Sequence, residues 1–285
     1  MLKFIFSATA IVLAVFLFSC GRNENAGTDP AGRFKVVRIK GSETARPILE
    51  KAIEQFSKIN PSIYIQYDGG GSNLGLMALK QQETDIAFVS RPLSQQEWRE
   101  IDTTLKYNLR RLAYDGLTLI VNLANPVKEL NVSQLRGVYA GYITNWKDLG
   151  GRDMPIIVYS RDISSGTYLF FKEHVLDSLD YTKDDINLVH NKEIVANVIQ
   201  TPNAIGYVGH GDVIPNLRVL KVAAGSSRKF VEPGFNTIKS RDYPLSRNLY
   251  YLLSKAPSKE VMQVDSFLRS PSVNQIIVET GFIPE

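Results

Sequence analysis

The sequence predicts an α/β fold built on a doubly wound, parallel sheet. Three observations carry that reading. Apolar, strand-like runs alternate with stretches of helical periodicity along most of the chain. Several of those runs end in short turns rich in Ser, Thr and Gly, each followed by a helix. The 285 residues, 44% hydrophobic and 22% charged, carry enough apolar surface for one large domain or two modest ones.

Taken in order, residues 34–39 alternate apolar and basic side chains, the pattern of a half-buried strand. Gly41-Ser42-Glu43-Thr44 ends it, and Ile48-Leu49, Ala52-Ile53 and Phe56 then recur at helical spacing. Pro47 falls in the first turn, where its missing N–H costs little. The unit repeats as a strand over 63–67, a turn over 69–73 and a helix over 74–81. A strand over 85–89, the turn Ser90-Arg91-Pro92 and a helix from about Ser94 follow. Residues 117–121 form a strongly apolar strand, 133–139 and 146–148 helical turns, and 156–159 another buried strand. Ser164-Ser165-Gly166-Thr167 opens a helix that runs to about Leu176. Strands over 204–208, 217–222 and 249–253 and amphipathic helices over 259–268 and 273–279 complete the chain.

The N-terminus has a different character. Lys3 precedes an apolar run over 4–18, shorter than the roughly 20 residues that span a bilayer, which reads as the core of an export signal. Leu17-Phe18-Ser19-Cys20-Gly21 resembles a bacterial lipobox, with Phe18 a bulky departure. That resemblance implies cleavage after residue 19, lipidation of Cys20, and a periplasmic or cell-surface protein held at the membrane by its lipid alone. The polar, glycine-bearing stretch over 20–33 reads as a flexible tether.

Composition removes several classes. A net charge of +4, from 33 basic and 29 acidic residues spread along the chain, is not a nucleic-acid footprint. One cysteine makes neither an internal disulfide nor a cysteine-rich zinc site, and His174, His190 and His210 lie too far apart for a metal motif. Gly70 and Gly75 have the spacing of a phosphate loop, but Leu76-Met77 stand where Lys and Ser or Thr belong. The dinucleotide fingerprint fails because Gly75 comes one residue late, and there is no GxSxG elbow. Ser165 as a nucleophile needs a base, and His174, nine residues on along the same helix, reads as a surface residue.

Four turns share one design: Gly41-Ser42-Glu43-Thr44, Gly70-Gly71-Ser72-Asn73, Ser90-Arg91 and Ser164-Ser165-Gly166-Thr167. Each follows a strand and precedes a helix. Any one of them is explained by Ser and Thr being favoured helix caps. Together, at the carboxyl ends of strands, their N–H groups, hydroxyls and close-approaching glycines make a donor-rich pocket for an oxyanion. Arg161, just upstream of the last turn, has a planar fork that suits a tetrahedral anion.

These turns, with Asp85-Ile86-Ala87-Phe88-Val89-Ser90-Arg91-Pro92-Leu93 and Arg161-Asp162-Ile163-Ser164-Ser165-Gly166-Thr167, resemble the periplasmic phosphate-binding proteins of ABC transporters. Asp115-Gly116-Leu117, Ile143-Thr144-Asn145-Trp146, Ala204-Ile205-Gly206-Tyr207-Val208 and Tyr243-Pro244-Leu245-Ser246-Arg247 extend the likeness over nearly all of 34–285. The resemblance implies two doubly wound α/β lobes joined by a hinge, 34–114 plus 238–285 and 115–237, with the ligand cleft between them. It implies capture of inorganic phosphate and delivery to a membrane permease, by a monomer, with no cofactor, no metal and no catalysis. The expected ligand-binding residues are Ser42, Glu43, Thr44, Ser72, Ser90, Arg91, Arg161, Ser165, Gly166 and Thr167. Some relatives carry Asp where this chain has Ser90 and where it has Ile163, which leaves Glu43 and Asp115 as candidates for a carboxylate that reads the phosphate proton. The rival readings are a binder of another oxyanion such as sulfate, a phosphate-sensing or adhesion lipoprotein, and a phosphatase.

Overall fold

A computed structural model describes residues 34–104 and 107–285. The expected signal segment, Cys20 and the tether lie outside the described residues.

The first half of the chain runs β1 (Lys35–Gly41), α1 (Arg46–Ile59), β2 (Ile63–Gly70), α2 (Ser72–Lys80), β3 (Ile86–Val89) and α3 (Gln95–Thr104). It continues through β4 (Tyr107–Asn122), β5 (Glu129–Asn131), α4 (Val132–Tyr139), β6 (Ile157–Arg161) and α5 (Gly166–His174). Next come β7 (Ile186–Leu188), α6 (Asn191–Gln200), β8 (Ala204–Gly209), β9 (Leu217–Val219) and β10 (Lys221–Ala223). Last are α7 (Phe235–Lys239), β11 (Ser246–Ser254), α8 (Lys259–Leu268) and α9 (Pro271–Glu279).

The main sheet has the order β2-β1-β3-β11-β4-β8-β6-β7, with β9 also on β4. Its two ends are parallel, β1 with β2 and β3, and β6 with β7 and β8. The middle is antiparallel: β11 against β3 and β4, and β4 against β8. The α/β class holds, with a mixed sheet in place of a wholly parallel one. Strand β4 changes partner along its length, pairing with β11 up to Gly116 and with β8 from Leu117.

Burial explains the elements. Ile48, Leu49, Ala52 and Phe56 put one face of α1 into a first core, with Val37 and Ile39 from β1, Leu253 from β11, and Val264 and Ile277 from the last two helices. A second core gathers Leu117, Leu119, Val138, Trp146, Phe170, Phe171 and Tyr207. Ile238, Tyr243 and Leu245 pack into this second core, just before β11 returns to the first. Each such side chain contributes about 1.5–3 kcal/mol by leaving water. Helix α4 starts on a reciprocal cap, in which Asn131 Oδ1 accepts the Gln134 N–H at 2.8 Å and Gln134 Oε1 accepts the Asn131 N–H at 2.9 Å.

Several regions differ from the sequence expectation, among them β5 and α7, which fall where no element was expected. Strand β4 begins at Tyr107, ten residues before the expected 117, because Asn108, Arg110, Arg111 and Asp115 break its apolar pattern. The expected strand over 217–222 divides, β9 joining β4 and β10 joining β5. Strand β7 and helix α6 fall where no element was expected: β7 is three residues long and mostly exposed, and α6 has His190 at its cap position, outside the usual Ser, Thr, Asp and Asn caps.

Candidate functional site

The turns after β1, β2, β3 and β6 meet at one seam between the two cores. Thr44, after β1, has its Oγ1 3.1 Å from Thr167 Oγ1 in the first turn of α5. Ser72 opens α2, and its Oγ accepts the Ser90 N–H at 3.1 Å and lies 3.4 Å from Ser90 Oγ. Ser165 caps α5, its Oγ accepting the Thr167 and Tyr168 N–H groups at 3.1 and 3.4 Å. Gly166 lies against the facing half: a Cβ there would stand 2.2 Å from Ser72 Oγ and 2.9 Å from Ser90 Oγ. Ser42 Oγ is buried with no hydrogen-bond partner among the described residues. The structure thus brings Thr44, Ser72, Ser90, Ser165, Gly166 and Thr167 together.

The seam is closed on two sides. On one, Ser164 Oγ donates to the Gly70 carbonyl at 2.6 Å and the Asn73 N–H donates to the Ser164 carbonyl at 3.2 Å. Gly71 sits under this clasp with φ +104, and a Cβ there would lie 2.5 Å from the Ser164 carbonyl oxygen. On the other side, His190 Nδ1 lies 3.1 Å from Glu43 Oε2.

The charged residues each have protein partners of their own. Glu43 is buried and accepts from Arg46 at 2.7 and 2.8 Å and from the Gly70 N–H at 3.0 Å. Burial by itself raises its pKa, but the bonds from Arg46, Gly70 and His190 outweigh that and hold it at about 2. Arg91 is clamped by Glu97 through two bonds of 2.7 Å and bonds Asn73 Oδ1 at 2.9 Å, so its guanidinium is engaged away from the hydroxyl cluster. Arg161, expected at the anion, instead donates to the Leu188 carbonyl at 3.2 Å, the Val189 carbonyl at 2.5 Å and Asn191 Oδ1. It ties the turn between β7 and α6 to β6. Burial lowers its pKa.

Arg247, present in the Tyr243–Arg247 motif but absent from the expected ligand-binding residues, also lies at the seam. Its side chain and that of Asp115 are wholly buried, with Arg247 Nε and Nη2 each 2.8 Å from Asp115 Oδ2. Nη1 donates to Thr167 Oγ1 at 2.9 Å, and Nη2 lies 3.4 Å from Thr44 Oγ1. Asp115 Oδ1 also accepts the His210 N–H at 2.9 Å. The signal for Arg247 was its place at the start of an apolar strand, where an arginine with no exposed side to face needs a buried partner. Asp212, near Asp115 across Gly209, is a further carboxyl; burial pushes its pKa up to about 7, against the opposing bond from Asn191. His174 is exposed and stacks on Phe170.

Hydroxyls that rotate, N–H groups at a helix start and a buried guanidinium share one capacity, the donation of hydrogen bonds to a solute held between two halves. Fold and seam together define a binding protein of the periplasmic-binding-protein-like fold. Residues 23–272 match the family described as the PBP superfamily domain. The phosphate-binding protein PstS of Staphylococcus saprophyticus is 34% identical over 275 residues, covering 93% of this chain and 84% of that protein. PstS of Borreliella burgdorferi is 30% identical over 279 residues, covering 94% and 93%. Among solved structures, an ABC-type phosphate transport receptor from Vibrio cholerae superposes with a TM-score of 0.73 at 30% identity, over 87% of this chain and all of that one. A Clostridium perfringens chain solved with bound phosphate gives 0.80 at 28% identity, over 88% of this chain. The chain belongs to the PBP superfamily and, within it, to the family of substrate-binding proteins of phosphate ABC transporters.

Proposed function

We propose that this protein captures inorganic phosphate in the seam and hands it to the permease of an ABC transporter, acting outside the cytoplasm as a monomer held at the membrane by a lipid on Cys20. The observation that carries the reading is the convergence of Thr44, Ser72, Ser90 and the capped start of α5 on one buried spot. In the bound state, phosphate oxygens take the place of the hydroxyl–hydroxyl bonds that now close the seam, since each hydroxyl donates as readily as it accepts. The names of the relatives supply the ion; the seam supplies donors of the right kind. The site consists of Ser42, Thr44, Ser72, Ser90 and Ser165–Thr167, with Glu43 bracing the turn that carries Thr44 through its bond to the Gly70 N–H. Binding, without covalent chemistry, is the whole activity.

Two lobes move about the strands that cross between the cores. The separation of the cores supports a division near residues 114–115 and a second crossing where β11 begins at Ser246, some residues after the expected 238, since Ile238, Tyr243 and Leu245 pack into the second core. Lipidation rests on the sequence around Cys20 alone.

Calorimetric titration of protein stripped of bound anion tests the ligand. Phosphate is expected to bind one to one and to displace sulfate at neutral pH. Equal affinity for the two ions would reassign the chain as a general oxyanion binder, and no binding of either would end the proposal. Replacing Cys20 by Ala is expected to move the protein out of the membrane fraction or to block its processing; unchanged membrane association at normal mature mass would remove the anchor.

A further inference from the structure

We propose that Asn191, braced by Asp212, is the positioning residue that aims Arg161 at the bound anion while leaving the arginine's charge unneutralised. This assignment rests on the phosphate-binding reading above. Around the seam, Arg46, Arg91 and Arg247 are each bonded to a carboxylate, of Glu43, Glu97 and Asp115 respectively. Arg161 differs. Its side chain is 1% exposed, yet its hydrogen bonds go to neutral acceptors, the Leu188 and Val189 carbonyls and Asn191 Oδ1. Among the described residues its one ion-pair contact is with Asp162 Oδ2, 3.9 Å from Nη2 and beyond hydrogen-bond length. Arg161 ends β6, just before the turn that carries Ser165–Thr167, and lies near enough to Glu43 for the two charges to interact. Its bonds use one N–H on each nitrogen, so one N–H is left on Nη1 and one on Nη2. A buried cation with unspent donors and no bonded counter-ion is completed by an anion.

Asn191 opens α6 and is buried. A side-chain amide accepts at one end and donates at the other. Here the oxygen accepts from Arg161 Nη1, and the nitrogen donates to Asp212 Oδ2 at 2.7 Å. The order cannot be reversed, because a guanidinium only donates and the turned amide would set N–H against N–H. A carboxylate bonded directly to Arg161 would hold it as firmly, but would cancel the charge that attracts the anion. The amide passes on the grip of Asp212 and keeps that charge available. With the two carbonyls it fixes the guanidinium at all three nitrogens. Ile163, where some relatives carry Asp, is 73% exposed and has no side-chain group that could brace Arg161. In this chain the brace comes instead from the start of α6 and from the turn after β8.

The test is a double-mutant cycle of Asn191→Ala and Arg161→Met in the full-length protein. The phosphate Kd is read by titration and, where binding is weak, by the rise in melting temperature with phosphate. Asn191→Ala alone is expected to weaken phosphate binding about tenfold, since a charged group loses one of its fixed bonds. In the Arg161→Met background the same change is expected to alter Kd by less than about twofold, because the side chain that Asn191 aims is gone. Asp212→Ala is expected to weaken binding about fivefold, and Asp212→Asn, whose amide oxygen still accepts from Asn191, to restore it. An Asn191→Ala protein within about threefold of wild type overturns the assignment. So does an equal loss in both backgrounds, the mark of a purely structural residue, and so does an Arg161→Met protein that binds as wild type. If circular dichroism shows Asn191→Ala unfolded, the Asp212 pair decides: equal affinity of Asp212→Ala and Asp212→Asn overturns the assignment. A wild type that binds no phosphate overturns the functional reading and this assignment with it. A wild type that binds while the Asn191 and Asp212 variants are unchanged overturns this assignment alone.

Discussion

The two sides of the seam are closed by different chemistry. On the Ser164 side, the Asn73 N–H and the Ser164 hydroxyl bond to carbonyls over a glycine, and the bridging groups themselves are uncharged. On the Glu43 side, a buried carboxylate faces an imidazole that is half exposed, with Arg46 beside it. Bonds between uncharged groups depend chiefly on geometry, whereas the charged side responds directly to protons and salt. The first side therefore sets whether the halves can meet, and the second sets how tightly under given conditions.

The sharpest way to break this contrast is at Gly71. Its backbone, at φ +104 and ψ 161, lies in a region that is essentially glycine-only. Strain there costs about 1–3 kcal/mol. Gly71→Val adds a collision with the Ser164 carbonyl, and phosphate affinity is expected to fall by about a hundredfold or more in titration, since about 1.4 kcal/mol is a factor of ten. Gly225→Ala, at φ +51 with nothing within 4 Å, is the control and is expected to leave binding unchanged.

Next in size is the proton dependence of Glu43. Its folded pKa of about 2 lies below the ordinary 4.5, so its stabilisation is present above 4.5 and is lost as pH falls through 2. Melting curves of wild type are expected to fall across that window by the equivalent of about 3–4 kcal/mol, at about 1.4 kcal/mol per pKa unit. Glu43→Gln is expected to be less stable at neutral pH and to lose that slope; an unchanged slope would mean that other carboxylates carry it.

Asp212 gives the opposite sign. Its pKa is raised from 3.8 to about 7, so its contribution is present below 3.8 and is lost as pH rises through 7. Asp212→Asn is therefore expected to melt higher than wild type at pH about 8, with the difference closing towards pH about 4. A variant less stable than wild type at the alkaline end would show that the carboxylate is needed ionised.

His190 is expected to have the smallest effect. Its side chain is 50% exposed, and exposed pairs contribute about 0–1 kcal/mol. His190→Ala is expected to change phosphate affinity by less than about fivefold and to flatten its dependence on salt, as measured between low and moderate ionic strength. A larger loss would make the charged side the principal clasp.

Much of the site was legible because its parts are local. Polar residues in the turn between a strand and a helix stand out in the sequence, so Ser72, Ser90, Ser165 and Thr167 could be picked from strand–turn–helix patterns, although only Ser165 proves to be a side-chain cap. The glycines at 71 and 166 could be marked as close approaches, although not what they approach. The arginines could not be ranked. Arg91, Arg161 and Arg247 all lie within or just after a strand, and a motif favoured Arg161. The same limit hid β7, which is short and mostly exposed, and α6, whose apolar face of Ile194, Val195 and Val198 follows His190 in place of a usual cap residue.

By itself, then, the sequence determined the alternation of strands and helices, the α/β class and the polar turns at the strand ends. All of these depend on side-chain periodicity and on bonds within a few residues. Tertiary structure alone decided that Thr44 meets Thr167, that β4 is shared by two sets of partners, and that Asp115 faces Arg247. The last pairing follows from register across β4 and β11, and the others from how distant elements pack against one another. A guanidinium reaches whichever acceptors the packed sheet sets around it, and strands far apart in the chain choose those acceptors.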